Sequence, residues 1–170
     1  GENYWIIEEG LNGRTTVWDD PIEGDKNGRR HLPILLESHR PLDLVIIMLG
    51  TNDLKARFRV PALEIAQSAG TLVEMVKRSN AGREGNPPSV LLIAPPPLGK
   101  LTIWKEEFEG GIEKSQKLAH YYSYFAQANQ CHFFDAGKIV KTSDIDGIHW
   151  EDSANRQFAE ALREKIKDIL

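Results

Sequence analysis

Cysteine is almost absent: Cys131 is the only one in 170 residues. A single cysteine excludes an internal disulfide and any zinc site built on cysteine. No apolar run approaches the roughly 20 residues of a bilayer-spanning helix. The longest, Leu42–Gly50, is broken by Asp43 and has the length of a strand. A basic excess is lacking as well. Lys and Arg number 21 against 25 Asp and Glu, a formal net charge of −4, which argues against a protein built to hold nucleic acid or an anionic membrane. The histidines at 31, 39, 120, 132 and 149 show no zinc-ligand spacing. Neither a P-loop nor a G-x-G-x-x-G is present, so a metal or nucleotide site is disfavoured and no cofactor is expected.

What is there is one domain's worth of alternating strand and helix signals over residues 1–170. Tyr4–Glu9 reads as a strand ending at Gly10, and residues 10–30 read as a glycine-bearing loop. Leu32–His39 is an expected short helix. Leu44–Leu49 and Ser89–Ala94 are apolar on both faces, as interior parallel strands are. Cys131–Asp135 is a shorter strand. Pro61–Arg78, Ile112–Asn129 and Asp152–Leu170 carry helical periodicity. In the last of these, Phe158, Leu162, Ile166 and Ile169 share one face. Alternation of this kind predicts an α/β fold, a parallel sheet with helices on both faces. Ligands of such folds bind beyond the carboxyl ends of the strands, which directs attention to Gly10–Arg14, Gly50–Asp53, Pro95–Pro97 and Asp144–His149.

Asp146-Gly147-Ile148-His149 sets an acid and an imidazole on one expected turn. The acid could fix the ring tautomer and leave the other nitrogen as a base, or simply cap the following helix. Spacing alone does not choose between Asp144 and Asp146 for that role. Gly50-Thr51-Asn52-Asp53 offers the Asn52 amide to an oxyanion, and Gly13 could offer a bare backbone N–H. Both segments are also ordinary turn chemistry. Together they supply most of an acyl-transfer site; the nucleophile is the missing member.

These segments resemble the SGNH (GDSL-type) hydrolase family, and within it the bacterial arylesterase/acyltransferase branch. Glu8–Thr16 is similar to the branch's second block, Leu42–Lys55 to its third and Asp146–His149 to its fifth. Phe108–Gly111 and Phe133–Gly137 are similar to further segments. The resemblance spans essentially the whole chain. It implies a flavodoxin-like three-layer α/β/α sandwich with a central parallel sheet. It also implies metal-free hydrolysis of short-chain carboxylic esters through an acyl-enzyme, with transfer to alcohols or peroxide where water is excluded. In those terms His149 is the base, Asp146 its orienting acid, and Asn52 and Gly13 the oxyanion donors. Thr51, Trp104, Phe108 and Ile148 are expected around the substrate, with Trp18 a further candidate wall. Lys55 and Arg57 are expected at the rim or in solvent. Arg57 stands where the branch often has an aromatic residue.

The family's Gly-Asp-Ser block is not found. Gly24-Asp25 is followed by Lys26, and none of the eight serines follows Gly-Asp. Ser143, beside the Asp146/His149 turn, is the one local candidate nucleophile. The expectation is therefore a domain truncated at its N-terminus. About 40–50 further residues would carry the first, central strand and the serine, and the 170-residue chain alone would be inactive. The expected partners are a small-molecule ester and that N-terminal segment, with no nucleic acid and no membrane. A homo-oligomer is compatible with the sequence, and one cysteine fits the cytoplasm. The alternative reading is a catalytically inactive binding module of the same fold.

Overall fold

The computed structural model describes residues 4–170. Its sheet has three parallel strands in the order β1 (Leu44–Ile47), β2 (Ser89–Ala94), β3 (His132–Asp135). Leu44 registers with Ser89, and Leu91 with His132. The helices are α1 (Gly28–His39), α2 (Ala62–Lys77), α3 (Gly111–Ala128) and α4 (Asp152–Lys167). This is the expected order, with ends moved by a few residues. α1 starts at Gly28, ahead of the expected Leu32, because the Asn27 side chain accepts the Arg29 N–H at 3.0 Å and caps it there.

Alternation along β2 sends its side chains into two separate cores. Val90, Leu92 and Ala94 meet Ile65, Ala69, Leu72 and Val73 of α2 and Leu118, Tyr122 and Ala126 of α3. Leu91 and Ile93 face the other way and cluster with Phe158 of α4, with Phe134 and Trp150 packed alongside. All of β2 beyond Ser89 is 3% exposed or less. The layers are therefore helix, sheet, helix.

Two expectations fail on the other side of the sheet. Tyr4–Glu9 forms no strand. A strand exists only against a partner's ladder, and none lies beside this segment among the described residues; Trp5 is 93% exposed. β1 pairs with β2 alone among the described residues. It is buried on both faces only in part: Ile47 is covered, while Ile46 and the following Met48 are exposed. No helix among the described residues is long and apolar enough to cross a membrane.

Candidate active site

Residues 143–149 form a turn at the carboxyl end of the sheet. The Gly147 N–H donates to the Ser143 carbonyl at 2.8 Å, and the Ser143 N–H to the His149 carbonyl at 2.6 Å. Asp146 closes the turn from inside. Its Oδ1 accepts the Ile148 and His149 N–H groups at 2.8 and 2.9 Å, and its Oδ2 lies 2.5 Å from His149 Nδ1. An ionised carboxylate is an acceptor only, so Nδ1 carries the hydrogen and Nε2 presents its lone pair outward. Burial pushes the Asp146 pKa up, but the hydrogen bonds from His149 and the two N–H groups outweigh it, and the net shift is downward. The His149 side chain is 73% exposed against 13% for that of Asp146.

Spacing left Asp144 and Asp146 open, and the structure places one of them against the ring. Asp146 contacts the imidazole, whereas Asp144 is exposed and its carboxylate makes no hydrogen bond among the described residues. Ser143 is occupied by other work. Its hydroxyl donates to Glu151 and accepts the Ile145 N–H at 3.0 Å. No serine hydroxyl among the described residues bonds the His149 ring.

The second half of the site follows β1. Gly50 sits at φ 112°, a region glycine enters freely, and a Cβ there would collide with the Tyr122 hydroxyl. The chain then turns through a one-turn 3₁₀ helix, Asn52–Leu54. Asn52 Nδ2 donates to the Arg14 carbonyl at 3.1 Å, leaving its second amide hydrogen free among the described residues. Asp53, completely buried, accepts the Thr16 N–H at 3.0 and 3.2 Å and the Thr16 hydroxyl. Burial drives the Asp53 pKa up from 3.8 to about 6; the Thr16 donors and the Lys55 charge pull against it without overcoming it. Gly13, on the loop these bonds hold, has φ 80°, and a Cβ would run into the Glu23 carboxylate. Its N–H has no acceptor among the described residues.

Sequence reading missed what surrounds this half. Lys55 and Arg57, expected at the rim or in solvent, are enclosed. Lys55, 4% exposed, is paired with Glu23, with Glu107 at 3.4 Å and with Asp20 at 4.0 Å. Arg57 binds Asp20 at 3.0 Å and also Glu107. Burial acts to raise the Asp20 pKa, yet the Glu23 and Ile22 N–H groups and Arg57 hold it below the ordinary carboxylate range. Partners between 32 and 52 residues away leave no local pattern to read.

Of the expected substrate walls, Ile148 is half-buried against the main core, and Thr51 is half-buried beside Asn52. Trp104 is 40% exposed. Phe108 is a core residue, 4% exposed, so its first role is packing. Trp18 also packs against the core, its indole N–H buried without an acceptor among the described residues. Two open surface clefts, about 450 and 320 Å³, lie around Arg59 and Lys114 and around Lys100 and Lys105; neither is lined by Asn52 or His149.

The model of the GDSL-like Lipase/Acylhydrolase family matches residues 1–165. Among solved structures, Est24, a carbohydrate acetylesterase from Sinorhizobium meliloti, is 43% identical with a TM-score of 0.95, over 100% of this chain and 81% of that one. The native aryl esterase of M. smegmatis is 44% identical, TM-score 0.95, with the same coverage. Its inhibitor-bound form is 45% identical, TM-score 0.92, over 96% of this chain and 78% of that one. A GDSL-like lipase from Bacteroides thetaiotaomicron, 19% identical with a TM-score of 0.66, shares the fold. No curated protein matches the chain.

Proposed function

The chain belongs to the GDSL-like lipase/acylhydrolase family and is a carboxylic ester hydrolase; from that premise we propose a serine esterase acting on short-chain esters through an acyl-enzyme. The observation that carries this reading is the Asp146–His149 pair, with Nδ1 fixed on the carboxylate at 2.5 Å and Nε2 without a partner among the described residues. A serine hydroxyl gives its proton to Nε2 as its oxygen attacks the ester carbonyl. The negative oxygen of the tetrahedral intermediate takes hydrogen bonds from the Asn52 amide and the Gly13 N–H. The carbon–oxygen ester bond breaks, and the alcohol leaves with the proton from the imidazolium. Water repeats the sequence on the acyl-enzyme and releases the acid. An alcohol or a peroxide takes the place of water where the site is dry enough.

We propose further that the serine is contributed by a segment N-terminal to residue 1, and that without it the chain does not turn over. Three features support this. No serine among the described residues bonds the imidazole. β1 has a free edge among the described residues, and the apolar residues Trp5 and Ile6 stand uncovered. The esterases above extend beyond the part this chain matches. Fluorophosphonate labelling of the gene product followed by peptide mapping tests the assignment. The expected adduct is on a serine before residue 1, and it blocks hydrolysis of p-nitrophenyl acetate. An adduct on Ser143, or turnover that survives His149→Ala, would overturn it. Absence of both adduct and turnover in the intact gene product would favour a non-catalytic binding module.

A further inference from the structure

We infer that Asp53 is a positioning residue of this site, its buried carboxylate holding the Gly13–Thr16 loop against the Asn52 turn. The inference rests on the esterase reading above, because it concerns the two groups assigned to the oxyanion.

Those two groups come from segments far apart in sequence, so something must fix one against the other. Two adjacent side chains make that connection. Asn52 Nδ2 reaches the Arg14 carbonyl at 3.1 Å, and Asp53 receives both the N–H (3.0 Å) and the hydroxyl of Thr16. Thr15 and Thr16 are fully buried, and their carbonyls accept the Gly28 and Arg29 N–H groups at 3.1 and 2.9 Å. The loop is thus set from one side by the start of α1 and from the other by Asp53. Releasing Asp53 would free the side of the loop that faces Asn52.

An aspartate is a costly choice for a mere packing contact. Its charge is opposed by burial, and an asparagine would fit the same volume. Both Thr16 donors meet Oδ1, and the N–H also lies 3.2 Å from Oδ2; an ionised carboxylate accepts such bonds more strongly than the neutral amide of an asparagine. Ionisable groups kept where burial opposes their charge concentrate at functional sites. The titratable groups acting on Asp53 are Lys55 on its own segment, favouring the charge, and Tyr122 on α3. The Tyr122 phenol donates to the Leu49 carbonyl at 2.7 Å and holds its proton more tightly because of burial and the Asp53 charge. Neither α1 nor α2 brings a charge that acts on Asp53. Above pH about 6 the carboxylate is ionised and its bonds from Thr16 are charge-assisted; below it, the added proton removes that charge and weakens them.

The test combines kinetics on p-nitrophenyl acetate with the Thr16 amide resonance in 1H–15N spectra of the substrate-free protein. Asp53→Asn is expected to lower kcat on the order of tenfold to a hundredfold, the scale of a small misplacement, with KM little changed. Thr16→Val should share the loss, and Thr16→Ser, which keeps the hydroxyl, should restore wild-type kcat. The acid limb of the kcat profile should lose one ionisation in Asp53→Asn. The Thr16 N–H should titrate with a midpoint near 6 in the wild type and stay flat in Asp53→Asn. A folded Asp53→Asn with wild-type kcat, or a Thr16 resonance insensitive to pH, overturns the inference. If Asp53→Asn does not fold, Thr16→Val with full activity overturns it as well. Failure of the esterase reading would show separately, as wild type without turnover, while the Thr16 titration needs none.

Discussion

The two halves of the site meet at the same end of the sheet but are built in opposite ways. The Asp146–His149 turn is fastened mainly by bonds spanning two to six residues, with its Gly147 and Ile145 carbonyls also accepting from Gly99 and Thr102, and its imidazole is mostly exposed. The Asn52–Asp53 turn is fastened to a loop 37 to 38 residues away, with Asp53 fully buried and Asn52 half-buried. A turn held mostly by backbone bonds, with its ring exposed, can lose its functional atom and keep its shape. A turn assembled from distant pieces cannot be altered without disturbing what it joins. Activity and stability should therefore separate in the first half and move together in the second.

The largest effect expected is at His149. His149→Ala should lower kcat/KM by at least about 10⁴-fold, as losing a triad member does. Thermal unfolding should shift by less than the equivalent of about 0.5 kcal/mol, because an exposed ring contributes little packing. A large drop in melting temperature would break the comparison at its first term. Asn52→Ala comes next, with kcat reduced on the order of 10²–10³-fold. Here calorimetry should also register a loss, since the Arg14 carbonyl forfeits its donor.

The third effect sharpens the buried half through pH. The folded pKa of Asp53 lies above its ordinary value, about 6 against 3.8. The folded state therefore holds this proton more tightly than the unfolded chain. The contribution to stability is complete below about pH 4 and is lost as pH rises through about 6, a change of roughly 3 kcal/mol. Urea unfolding at both ends of that window should show this decline in the wild type relative to Asp53→Asn, since the lowered pKa values of Asp20 and Asp146 act in the opposite direction in both proteins. The smallest effects are expected at the neighbours of the exposed half. Asp144→Ala and Ser143→Ala should each leave kcat within about twofold, since neither reaches the imidazole. A steady-state assay showing a hundredfold loss in either would move the orienting or nucleophilic role to that residue.

The same contrast explains what could be read from the sequence. Ile65, Ala69, Leu72, Val73 and Val76 declare their helix by spacing, and all are buried as spaced. β2 is apolar throughout because both of its faces are covered. The acid and imidazole of the exposed half lie three residues apart, within reach of a local pattern. Choosing Asp146 over Asp144 still required the geometry of the turn. Tyr4–Glu9 has a strand's composition but no ladder beside it among the described residues, and composition carries no information about a partner. Lys55 looked solvated for the same reason. Its three carboxylates come from two loops, and only folding brings them together.

That charge cluster, buried Lys55 and Asp20 with half-buried Arg57 and Glu107 and the more exposed Glu23, bears on how the molecule responds to heat. Hydration of ions becomes less favourable as temperature rises, so the penalty for keeping these groups from water shrinks on warming. Contacts across the cluster should weaken later than their polarity suggests. The loop carrying Gly13 would then be among the last parts of the site to loosen, after the exposed His149 turn.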